Sequence, residues 1–345
     1  MWEVRAQRAQ REIAALATSG LDLAELHAAV LAVVHRTVPF PQACWAAVDP
    51  STMLMTSVTN WPPWPVPEEY ALRFAESEYA GSEPNPFTQL SRRSRPVTRL
   101  SDAPHRETVR SVRLNDLLRP QGLEHELRAV FLVDGFPWAV GTLFREPGPD
   151  FSEREVEFLA AVAETVAGAT RVALREPGRA AGVGGGPVIV LVGPHGELRA
   201  ATRAAESWLA DTEAAAPGRF AMTLYAVAAS AGAAPAGTAR TRMRDGAGNW
   251  VVLQASRLIA GDAPEQLVVT VEPATTAELV HLLLAAYGAT AREGDVCLEV
   301  LAGRSTQEVA DRLFISPHTV HDHLKALFLK VGVRSRGELV ARLQG

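Results

Sequence analysis

The chain has 345 residues, 47% of them hydrophobic and 21% charged, with a net charge of −5. That is material for two or three domains of ~150 residues each, and the negative total excludes a polybasic nucleic-acid coat or a membrane-surface binder. No apolar run reaches the ~18 residues that a membrane-spanning helix needs.

The N-terminal MWEVRAQRAQREIAAL mixes charges too closely for a signal peptide. Two distant cysteines, Cys44 and Cys297, cannot form a disulfide framework. A reducing cytoplasm is the expected compartment. Of the 34 basic residues only two are lysines, Lys325 and Lys330, both near the C-terminus. An Arg- and Ala-rich coding bias explains why lysine is rare, but not where the two lie.

Residues 1–176 alternate helical and extended signals. The amphipathic LDLAELHAAVLAVV leads into the strand-like ACWAAVDP and STMLMTSV. A Trp- and Pro-rich loop follows (WPPWPVPEEY), then the paired strands RAVFLVDG and PWAVGTLFRE, then a long helix from FSEREVEFLAA. Ser152 and Glu155 are spaced as a capping box for that helix. Helices beside an antiparallel sheet make an α+β domain. Residues 177–186 are Gly-rich and read as a linker.

Residues 187–272 open with a strand, a Gly-Pro-His-Gly turn and a second strand, followed by a short helix around ATRAAESWL. RTRMRDGAGNWVVLQASRL reads as strands joined at an Asp-Gly turn, and EQLVVTVEP as a further strand. Between the helix and these strands AVAASAGAAPAG, small-residue and Pro-broken, reads as a connection. This is a second α+β domain.

Residues 275–345 spell out four short helices, at about 291–302, 306–313, 317–331 and 336–343. Thr290/Glu293, Ser305/Glu308 and Ser335/Glu338 are capping-box pairs, and Ser316-Pro317 is an N-cap followed by Pro at the first helical position. Gly303 and Gly332 mark two helix ends. Tight turns between short helices are the signature of an all-α helix-turn-helix domain. On the third helix Val320, Leu324, Leu327, Phe328 and Val331 form the core stripe, leaving His318, His321, Asp322, Lys325 and Leu329 on the open side. Lys330 lies toward the end. Such a helix suits a groove lined with phosphates and base edges.

RLFISPHTVHDHLKALFLKVGVRSRGELVARL resembles the LuxR-type (GerE) helix-turn-helix of bacterial transcription regulators, and TAREGDVCLEVLAGRSTQEVA resembles the helix before it. Asp295 departs from the usual Glu, Gln307 from a common Lys, and His321 from a common Lys or Arg. The resemblance implies that His321, Asp322 and Lys325 face bases, and that Thr306, Gln307, Thr319, Arg334 and Ser335 contact the DNA backbone. Lys330 completes the candidate DNA-binding set. Asp322 either accepts from a cytosine amino group or pairs with Lys325; the pairing is the favoured resting state. His318, His321 and His323 do not converge on one metal ion, because His323 turns away.

EYAGSEPNPFTQLSRRSRPVTRLSD, GLEHELRAVFLVDGFPWAVGTLFRE and FSEREVEFLAAVAETVA resemble the GAF-like domain that precedes LuxR-type domains in actinobacterial regulators, and residues 187–272 resemble a PAS-like domain. Both resemblances imply antiparallel sheets with a ligand pocket, and dimerisation. Trp61 and Trp64, in the Pro-rich loop, are the ligand-binding candidates; Cys44 reads as a buried structural cysteine. No ATP-binding loop, phospho-receiver pattern, catalytic constellation or metal-ligand spacing supports an enzyme, and no cofactor is named by any motif. The expected protein is a cytoplasmic, dimeric transcription regulator with double-stranded DNA, a small-molecule ligand and RNA polymerase as partners. The alternative is a module whose C-terminal domain recruits a protein.

Overall fold

The computed structural model describes residues 1–63, 67–79, 83–175, 186–193, 197–215, 219–259 and 266–344. These fall into two compact units, 1–173 with 186–273, and 174–175 with 274–344.

In the first unit α1 (Trp2–Leu16) and α2 (Leu23–Thr37) precede β1 (Gln42–Val48) and β2 (Met55–Trp61). The strand signal of STMLMTSV begins late: residues 51–54 form a turn with Met53 at φ 62°, and only Met55 onward pairs with β1. Next come α3 (Glu68–Tyr79), α4 (Phe87–Leu90), β3 (Val97–Arg99), α5 (His105–Arg110) and a π-helical turn at Arg113–Leu118. β4 (His125–Val133), β5 (Phe136–Arg145) and α6 (Glu153–Ala173) follow. The antiparallel sheet runs β2-β1-β5-β4-β3.

Strand alternation divides its faces. Trp45 on one face lies beside His27 of α2 and stacks on Phe131 at 4.4 Å. Ala46, Val48, Val130 and Val140 on the other join a core with Ala71, Phe74 and Ala75 of α3. The helix signal at Ser152 is realised as half a capping box, in which the Glu155 carboxylate accepts from the Ser152 N–H at 2.7 Å.

The second sheet follows the same plan. β6 (Val188–Val192), β7 (Leu198–Ala201), α7 (Arg203–Ala215), α8 (Arg219–Ala233), β8 (Thr238–Arg244), β9 (Trp250–Leu258) and β10 (Gln266–Pro273) give the antiparallel order β7-β6-β10-β9-β8. Each sheet places its strands second, first, fifth, fourth, third. The turn between β8 and β9 begins at Asp245, where the sequence predicts it; the Asp245 carboxylate caps Ala247 and Asn249 N–H groups.

α8 overturns the reading of AVAASAGAAPAG as a connection: residues 226–233 are helix, and Pro235 lies beyond its end. The helix is buried on two sides. Phe220, Leu224, Val227, Ala228 and Ala231 pack into the core of the second sheet, whereas Met222 and Tyr225 pack into that of the first, beside α3 and β2. A buried ion pair joins the sheets as well. The Asp49 carboxylate accepts from Arg242 N–H at 3.1 Å, Nε at 2.7 Å and Nη2 at 2.6 Å.

The second unit consists of α9 (Thr276–Ala286), α10 (Ala291–Leu301), α11 (Thr306–Leu313), α12 (Pro317–Val331) and α13 (Arg336–Gln344) around one core containing Val296, Val309, Val320, Leu327 and Leu339. Arg175 belongs to it, donating from Nε to the Ala286 carbonyl at 2.6 Å.

Candidate nucleic-acid interface

The turns that set α12 are written in local chemistry. Thr290 and Ser305 make reciprocal capping boxes with Glu293 and Glu308. The third pair is shifted by one residue: Ser335 Oγ accepts from Glu338 N–H at 3.2 Å, but the Glu338 carboxylate accepts from Arg334 N–H at 2.8 Å. Ser316 Oγ accepts from Thr319 N–H at 3.1 Å, with Pro317 next to it at the first helical position.

The ends of α9 to α12 share one closure, in which a residue with left-handed backbone lets the next N–H reach the carbonyl five residues back. Gly288, Gly303 and Gly332 supply that conformation at three ends, with Ala289, Arg304 and Val333 donating to Leu284, Glu299 and Phe328. At the end of α11, inside the helix-turn-helix, Phe314 supplies it at φ 54°. Arg292 Nη2 donates to the Leu313 carbonyl at 2.6 Å and so closes the same end.

α12 then presents what the stripe predicts. Val320 and Leu327 are fully buried, while His318, His321, Asp322, Lys325 and Leu329 are exposed. Gln307, Arg334 and Ser335 are also exposed, and Thr306 and Thr319 are half-buried. Gln307 is held by Asp311, donating from Nε2 at 2.9 Å; Thr319 Oγ1 lies 2.8 Å from Ser316 Oγ.

Two charges are placed differently from expectation. Asp322 does not pair with Lys325; its partner is His318, with Nε2 3.7 Å from Oδ2. Lys330 turns inward, where its ammonium donates to Glu293 at 2.6 Å. Burial alone would raise the Glu293 pKa. The Lys330 ammonium and the Thr290 N–H outweigh burial and hold the carboxyl below its usual range.

Most other cations of this unit are also engaged. Arg292 pairs with Asp295 at 3.3 Å, Arg304 and Arg312 pair with Glu299, and Arg336 donates to the carbonyl of Arg304. Among the described residues of this unit, the side chains of Lys325, Arg334 and Arg342 have neither an acid nor a carbonyl partner, whereas Arg336 has carbonyls alone. The permanent positive charge on the open face of α12 is therefore Lys325.

The ligand candidates of the first unit fare differently. Trp61 ends β2, paired with Ala43, rather than lying in a loop, and its ring sits 5.2 Å from that of His35. Trp64 and His195 lie outside the described residues. Cys44 packs against the core shared with α3, where burial pushes its thiol up to about 12 in spite of nearby Arg128.

What residue-by-residue reading missed is a buried ionic cluster on that same side of the sheet. Arg113 pairs with Glu126 at 3.0 Å and donates to the Pro84 carbonyl at 2.9 Å, and Arg128 pairs with Glu78. Glu83 accepts from the Val112 N–H at 2.7 Å. Arg113, Arg128 and Glu126 are fully buried. Beside Glu83, a cleft of about 520 Å³ is lined by Asn85, Arg93, Asp102, Arg106 and Arg110. One signal was legible: Glu126 and Arg128 alternate with the same face as buried Val130.

Residues 289–343 match the family described as bacterial regulatory proteins, luxR family. Over 51 residues, 15% of this chain, the sequence is 45% identical to one protein of Mycobacterium bovis and to one of Mycobacterium tuberculosis, each named as an HTH-type transcriptional regulator. The matched stretch is 6% of either relative's length. Two solved structures, a Vibrio cholera VqmA–ligand–DNA complex and a phage VqmA–DPO complex, align over 46% and 45% of this chain and 80% and 81% of theirs. Their identities of 16% and 17% and TM-scores of 0.22 and 0.18 are too low to bear on the fold. The C-terminal domain of this chain is a LuxR-type (GerE) helix-turn-helix.

Proposed function

We propose that the protein is a sequence-specific transcription regulator that binds duplex DNA as a dimer, seating α12 in the major groove of each half-site, and that a signal received by residues 1–272 controls it. The observation that carries the reading is the open face of α12. A helix whose apolar stripe is buried leaves Lys325 unpaired in solvent, beside His321 and Asp322. Arg334, Ser335, Thr306, Gln307 and Thr319 are the proposed backbone contacts, positioning the helix while α12 faces the bases. Two half-sites require two such helices, hence the dimer. In the signal-receiving region, a GAF-like module at 1–176 and a PAS-like module at 187–272 are supported by two antiparallel five-stranded sheets of one strand order, each carrying helices. RNA polymerase is the proposed downstream partner and the cytoplasm the proposed compartment.

A salt titration on duplex DNA tests the reading, because released counterions give a steep negative slope of log K against log salt. Lys325→Ala is expected to weaken specific binding by ~1–3 kcal/mol. Lys330→Ala is expected to leave the salt slope nearly unchanged and instead lower domain stability by about 1–3 kcal/mol, since it strands the Glu293 carboxylate. A flat salt response in the wild-type protein would point to a protein partner for this domain.

A further inference from the structure

The DNA-facing side of α12 carries more imidazole than ammonium. His318 and His321 are exposed there beside Lys325, and His318 lies opposite Asp322. A carboxylate facing a phosphate-lined groove is repelled unless a cation stands near it. His318 can be that cation, but only when protonated.

We propose that His318 and His321 are proton-dependent contacts of this interface, so that binding of DNA draws protons onto α12. The inference rests on the DNA-binding reading above. An imidazole gains or loses its charge between about pH 5 and 8, and neighbouring phosphates favour the charged form. Protonated His318 bridges Asp322 and the DNA backbone, and protonated His321 adds a second donor to the same groove. His318 is then a contact residue outside the set that the family resemblance implies, and His321 is a member of that set whose contact depends on its proton.

The surroundings leave these imidazoles available. Asp322 is the acid within 4.0 Å of His318. The acids of the helices packed on α12 are engaged elsewhere: Glu293 with Lys330, Asp295 with Arg292, Glu299 with Arg304 and Arg312, Glu308 within its own cap, Asp311 with Gln307 and Glu338 with Arg334 N–H. The basic groups on those helices are Arg292, Arg312, Arg336 and Arg342, with Arg304 in the turn before α11 and Arg334 in the turn after α12. All are arginines, whose charge does not change over the same range. His318 and His321 are therefore the side chains of this face that can be either neutral or charged.

The sign follows from linkage. A group whose pKa rises on binding strengthens the complex below its free pKa and loses that contribution as pH climbs through the bound value. Affinity for DNA is thus expected to fall as pH rises.

The test is fluorescence anisotropy of the full chain with a labelled duplex of mixed sequence, at one fixed salt concentration, from about pH 6 to about pH 8. Wild-type affinity is expected to fall about tenfold or more, and H318Q/H321Q to bind at low pH as the wild type binds at high pH, changing by less than about threefold. The other seven of the nine histidines remain in the double variant, His281 and His323 among them, so pH dependence that survives in it overturns the assignment. Binding that is steep in salt but flat in pH overturns the inference and leaves the DNA-binding reading intact. Absence of binding at every pH removes both. Circular dichroism of each protein across the range separates lost binding from lost fold.

Discussion

Phe314 holds, at the end of α11, the backbone conformation that glycine supplies at the ends of α9, α10 and α12, and the residue is 94% exposed. A left-handed residue with a Cβ costs ~1–2 kcal/mol, partly offset because glycine loses ~0.5–1 kcal/mol more entropy on folding. Phe314→Gly is therefore expected to stabilise the domain by about 0.5–1 kcal/mol. Thermal unfolding measures it, and a lowered midpoint would show that the ring packs where this structure leaves it in solvent. Residue-scale chemistry was the most legible level of the sequence, since caps, glycine ends and the apolar stripe are each written within one helix and its turns. Partner choice was less so. Lys325 and His318 stand at equivalent spacings from Asp322, and only the rotamers decide that the pair is with His318.

At the scale of elements, α8 escaped a pattern reading for a physical reason. A helix buried on two sides lacks the polar face that makes amphipathic periodicity visible, and Gly232 and Pro235 look like punctuation. The alanine run was the available signal, alanine being the strongest helix former. Small side chains let α8 lie close to both sheets, so its interior tolerates little added volume. Ala226→Leu, at a position with no exposed surface, is expected to cost ~1–3 kcal/mol through overpacking. Urea unfolding monitored by tryptophan fluorescence gives the value; an unchanged midpoint would mean that the contact faces have room to part. The buried Arg and Glu residues were missed for a related reason, because their partners lie far along the chain.

For the whole molecule, the Gly-rich stretch at 177–186 looks like a border between two independent domains, yet residues on either side of it share a core and an ion pair. Contacts between distant segments leave no periodic trace, so this arrangement was invisible to local reading. Asp49 is 3% exposed; removing its carboxylate is expected to cost ~3–5 kcal/mol, as for other broken buried pairs. Asp49→Ala should raise hydrogen exchange in β8 and around residues 49–54 together, and exchange that rises in one sheet alone would show that the pair does not link them. The shared helix also bears on descent. A sheet that lends Met222 and Tyr225 to its neighbour's core cannot be lost, duplicated or exchanged alone without exposing that core. Recombination among related genes is then constrained to move the two sheets as one cassette, and a descendant carrying only one of them must have rebuilt the surface that α8 covers.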